Sequence, residues 1–109
     1  MSSPIPLPVE RALAQLGQNI SLARRRRNMS QQMLAERIGA SLNTVRRMEE
    51  GFAGTALQYF ARALQVFGEL DKLEMLLDTS QDSVGLALMD EKLPQRVRSR
   101  RRTPDTGSF

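Results

Sequence analysis

Residues 23–32 read ARRRRNMSQQ, four consecutive arginines followed at a short distance by two glutamines. A guanidinium offers a planar fork of N–H donors that meets phosphate or carboxylate oxygens in pairs. An amide adds neutral donors and an acceptor. Further on, LNTVRRMEE sets Asn43 and Thr44 ahead of Arg46 and Arg47. These side chains suit holding an anion or reading a polar edge. A run of arginines is also an ordinary solvated helix end, so the elements around it must decide. Consecutive helical residues point about 100° apart, and the four arginines cannot share a face. Arg24 follows Ile20 by four and continues an apolar stripe, which turns it inward. Arg25 and Arg26 are expected in solvent, and Arg27 near the Gln31 end.

Other chemistries lack their residues. The 109-residue chain has no histidine and no cysteine. General-base catalysis, thiolate chemistry, disulfides and the common zinc sites thus lose their usual groups, which points away from an enzyme. No cofactor or metal is implied. No apolar run reaches the roughly 18 residues of a membrane span, and MSSPIPLPVE lacks the charged start of a signal peptide. A cytoplasmic, bacterial setting is the expectation. With aromatic residues at 5%, the core must come from aliphatic side chains and Met, which suits packed helices. Charge is segregated: seven arginines against one glutamate in 24–47, nine acids against two bases in 48–91, six bases against one acid in 92–109. That pattern is a basic face, an acidic body and a basic tail, or ordinary solvation.

The elements follow in order. Pro4, Pro6 and Pro8 predict an extended arm over residues 1–9. From Glu10, Leu13, Leu16, Ile20 and Ala23 trace one face of a helix to about Arg27, broken at Asn28-Met29. Ser30 is the expected N-cap of a second helix, with Met29 and Leu34 at the spacing of a hydrophobic staple and Gly39 as its stop. Leu34, Ala35 and Ile38 form its apolar face. Ser41 caps a third helix, with Val45 and Met48 inward and Gly51 ending it. Thr55 is expected to cap a fourth, with Leu57, Phe60, Ala61, Leu64 and Phe67 inward and Gly68 as its stop. A fifth spans Glu69 to about Thr79, with Leu70, Leu73, Met75, Leu76 and Leu77 apolar. After Thr79 regular periodicity is lost. The run VGLALM wants a partner as a strand or a helical turn, and from Pro94 the chain reads as polar, basic and disordered. The expected organisation is an arm over 1–9, a domain over 10–79 and a tail over 80–109.

Residues 30–51, SQQMLAERIGASLNTVRRMEEG, carry the most information. Two short capped helices meet at a tight turn containing Gly39. Small Ala35 allows close approach, and Leu34, Ile38, Val45 and Met48 fix the angle. That is a helix-turn-helix, whose second helix can enter the DNA major groove. The stretch from Leu16 to about Leu77 resembles the five-helix DNA-binding domain of the lambda and 434 repressor, Cro and Xre family, an all-α fold. Ala40 and Asn28 depart from the larger apolar residue and the glycine common there.

The resemblance implies roles. Gln31 matches a glutamine that holds a DNA phosphate at a helix N-terminus, with Gln32 its neighbour. Leu42, Asn43, Thr44 and Arg47 occupy the outward face of the recognition helix. Arg47 suits guanine O6 and N7, Asn43 suits adenine, and Thr44 or Leu42 suits a thymine methyl. Arg46 and Arg27 are expected at phosphate. Arg24 is expected to pair with Glu49, tying the first helix to the recognition helix. The basic tail RVRSRRR suits non-specific DNA binding, a protein partner or plain solubility. The expected function is transcriptional regulation on double-stranded operator DNA as a homodimer. The compact domain and its tail are similar to HipB-type antitoxins, which implies a HipA-like serine/threonine kinase toxin as partner. An interaction module with little DNA binding, or a phage-type repressor, is the alternative.

Overall fold

The structure, a computed structural model, describes residues 4–96. Among the described residues six α-helices run in order: α1 Leu7–Arg26, α2 Gln31–Ile38, α3 Leu42–Glu49, α4 Leu57–Phe67, α5 Leu70–Glu74 and α6 Ser83–Arg96, with a 3-10 turn at Thr79–Gln81 before the last. No strand occurs among the described residues. The fold is all-α and of the lambda-repressor type. The chain divides into two compact units, one up to Leu73 and one from Glu74 onward.

In the first unit α3 packs on α1 and α2, and α4 packs on both as well. Ile20, Met29, Leu34, Ala35, Ile38, Val45, Met48, Phe60, Ala63 and Phe67 form one buried cluster. The two-turn helices α2 and α3 are marginal alone, so their caps and this shared core must hold them. Ser30 Oγ accepts the Met33 N–H and Ser41 Oγ accepts the Thr44 N–H, each at 3.0 Å. Gly39 takes the left-handed conformation, φ 71°, and releases the chain into the turn. Asn28 does the same at φ 57° between α1 and α2, a conformation asparagine tolerates better than most residues.

Several expectations are corrected. Helix α1 begins at Leu7, not Glu10, because Pro8 falls in its first turn, where the missing N–H has no intrahelical partner anyway. Leu16 lies on the expected stripe but remains exposed. The cap of α4 is Ala56, which makes no side-chain cap bond, whereas the Thr55 N–H closes a turn onto the Phe52 carbonyl at 3.2 Å. Leu57, at the first position of α4, is 68% exposed. The fifth helix stops at Glu74, and Leu77 turns left-handed at φ 59°. Leu70 and Leu73 are half-buried, whereas Met75, Leu76 and Leu77 are exposed.

In the second unit, the segment expected to be irregular forms α6, with Asp82 Oδ1 accepting the Gly85 N–H at its start. VGLALM is thus helical, and the helix carries through Pro94 to Arg96. The remaining tail expectation, for residues 97–109, lies outside the described residues, as do the first three residues of the arm. Because the buried cluster lies within the first unit, deleting residues 80–109 is expected to leave a domain that unfolds in one cooperative urea transition. Loss of that transition in the truncated chain would show that α6 completes the fold.

Candidate nucleic-acid interface

An ion pair ties α3 of the motif to α1. Arg24 Nε donates to Glu49 Oε2 at 2.7 Å, and Nη2 donates to Glu49 Oε1 at 3.1 Å. Both side chains are nearly buried, 10% and 6% exposed. Arg24 Nη1 also donates to the Met29 carbonyl at 2.8 Å, so the same guanidinium fixes the turn between α1 and α2. Gln31 Nε2 donates to Glu49 Oε1 at 2.9 Å. The result is a three-residue network joining the last turn of α1, the first residue of α2 and the last residue of α3. Such a bidentate, hydrogen-bonded pair leaves few charged atoms uncompensated.

The backbone makes room for that network. A Cβ at Gly17 would lie 2.5 Å from the Glu49 carbonyl oxygen and 2.6 Å from that of Met48, so α1 and the end of α3 touch through backbone. Arg62, from α4, donates Nη1 to the Ile38 carbonyl at 3.0 Å and completes the C-terminus of α2. Neither Gly17 nor Arg62 was among the expected residues. A glycine inside a helical stripe was the available signal for the first; a partner 24 residues away gave none for the second.

On α3 the outward residues divide by environment. Val45 and Met48 are fully buried, while Asn43, Arg46 and Arg47 are exposed. Leu42 and Thr44 are half-buried at the start of the helix. The Thr44 hydroxyl lies 2.9 Å from Ser41 Oγ, which ties it to the cap and leaves its methyl group for an apolar contact. Asn43 and Arg47 are four residues apart and share one line along the helix, and Glu50 continues it at the next turn. Glu50 is exposed. The Arg47 guanidinium lies over the Phe52 ring, 5.2 Å from its centroid.

The expected phosphate-binding residues sit differently. Arg27 does not stand open beside Gln31: Nη1 donates to the Ala23 carbonyl at 2.9 Å and Nη2 to the Phe67 carbonyl at 3.1 Å. Its guanidinium also lies over the Phe67 ring. The free carbonyls at the end of α4 attract the cation, so a phosphate contact through Arg27 must share or replace these bonds. One N–H of Gln31 is committed to Glu49 and a second is left. Gln32 Nε2 donates to Glu36 Oε2 at 3.1 Å across one exposed helical turn. Arg46 is exposed beside the Asn43–Arg47 line.

Among the described residues no group of His, Cys, Asp or Glu could hold a metal ion, and no helix is long and apolar enough to cross a membrane. No curated protein and no solved structure matches the chain. The family model HTH_3, described as helix-turn-helix, matches residues 20–74, half of the chain, and that span contains α2, α3 and the whole Arg24–Glu49–Gln31 network. The chain therefore belongs to the HTH_3 helix-turn-helix family, a family of DNA-binding regulators rather than of enzymes.

Proposed function

We propose that this protein reads a specific operator sequence with α3 in the major groove, acting as a homodimer on two half-sites. One observation carries the reading: α3 buries Val45 and Met48 completely while keeping Asn43, Arg46 and Arg47 exposed. Arg47 pairs with guanine O6 and N7, Asn43 with adenine, and the Thr44 methyl and Leu42 meet thymine methyl groups. Arg46, Gln31 and Gln32 hold phosphates, with Arg27 joining when its bond to Phe67 is released. Dimerisation follows from reach, since a single recognition helix covers only a few base pairs. The HipB-type reading extends this to autorepression and to a HipA-like serine/threonine kinase toxin held by the same chain. Its support is the resemblance together with a second unit that continues past the family match. Co-purification of a kinase-like protein with the full chain, lost on deleting residues 80–109, tests that extension.

Two variants test the DNA reading. Arg47→Ala is expected to lose about 1–3 kcal/mol on the best operator and little on scrambled duplex. Arg46→Ala is expected to weaken both duplexes by the same factor and to make the log–log salt slope shallower by about one unit. Equal weakening of both duplexes by Arg47→Ala would remove its base-reading role.

A further inference from the structure

We infer that Phe52 is a positioning residue for Arg47, so that base discrimination by α3 depends on an aromatic ring outside the helix; this rests on the base-reading role proposed above. Phe52 follows the end of α3 and is 47% exposed, outside the buried cluster. The core therefore does not explain an aromatic side chain here. Its backbone is fixed from both sides: the Phe52 N–H donates to the Arg47 carbonyl at 2.9 Å, and the Phe52 carbonyl accepts the Thr55 N–H at 3.2 Å. The ring folds over Gly54, where a Cβ would lie 2.6 Å from ring atom Cε2. Any other residue at that position would push the ring aside. The ring thus rests against Gly54 through Cε2 and Cζ, and the Arg47 guanidinium lies over the ring.

Two other arginines also lie over rings, Arg27 over Phe67 and Arg62 over Tyr59. Each of those also donates to a main-chain carbonyl, of Phe67 and Ile38 respectively, and acts as a strut. Arg47 makes no side-chain hydrogen bond among the described residues. Contact through a ring face uses the charge and leaves the N–H donors open for a base edge. A long side chain restricted in the free protein loses less conformational freedom when it docks. The ring therefore holds the reader in place without occupying the atoms that read.

The test uses full-length protein and two duplexes, the best site enriched from random DNA and a scrambled version of it. Phe52→Leu is expected to reduce the ratio of the two affinities about two- to fivefold, the size of an exposed cation–ring contact, while Phe52→Tyr retains it. In an Arg47→Ala background the same Phe52→Leu change is expected to have no effect on the ratio. An unchanged or increased ratio in Phe52→Leu, with Arg47→Ala still lowering it, would overturn the positioning role and leave Arg47 as a reader. A Phe52→Leu loss that persists without Arg47 would mean that the ring touches DNA itself. If Arg47→Ala leaves the ratio unchanged, or if no site is enriched, the base-reading role falls and the positioning role with it.

Discussion

Replacing Arg24 with alanine is expected to lower the free energy of unfolding by about 3 kcal/mol or more, since it strands a nearly buried carboxylate. The Arg24 guanidinium makes two bonds to Glu49 and one to the Met29 carbonyl, and no neighbouring cation replaces them in the network. Glu49→Ala should lose a similar amount, because it strands the guanidinium and removes the partner of Gln31. The double variant should lose distinctly less than the sum. Arg24→Lys should recover only part, since an ammonium cannot present the two-pronged geometry. Urea melts of the four variants measure this; additive losses would mean that the pair is not coupled.

Gly17→Ala gives a second large effect, opposite in sign to what helix propensity alone dictates. An alanine in a helix interior is favoured over glycine by about 1 kcal/mol. Here the new methyl would meet the carbonyl oxygens of Met48 and Glu49 at 2.6 and 2.5 Å, and both are fixed backbone of α3. Overpacking of that kind costs about 1–3 kcal/mol, and moving α1 outward would also pull Arg24 from Glu49. A net loss of about 2 kcal/mol is expected on combining these effects, with Gly17→Val abolishing cooperative unfolding. A Gly17→Ala protein as stable as the parent would show that α1 and α3 do not approach this closely.

What the sequence made legible was local. Ser30, Gly39 and Ser41 mark helix ends through bonds to residues within a turn of themselves, and Leu34, Ile38, Val45 and Met48 mark the core by spacing. The outward residues of α3 follow once its buried side is known. Contacts between distant residues were not legible in the same way. The bonds that draw Arg27 to Phe67 and Arg62 to Ile38 span 40 and 24 residues, and either cation reads as solvated in isolation. Gly17 acts through a missing atom, so an apolar pattern passes over it. The start of α1 is hidden because a proline in the first turn of a helix looks, by composition, like a proline in an arm. The end of α5 is hidden because Met75, Leu76 and Leu77 continue an apolar run that the backbone does not follow. Residue type and spacing thus point to α3 as a reader, while its mounting comes from α1 and α2, on both of which α4 packs.

Selection of bound sites from random duplex DNA, with the full chain at fixed salt, shows whether α3 reads sequence. Enrichment of a two-fold symmetric site is expected, with half-sites about one helical turn, or a multiple of it, apart. Arg47→Ala is expected to relax one base pair in each half-site. Recovery of no motif by the parent protein, with binding that follows only salt concentration, would contradict sequence-specific reading by α3.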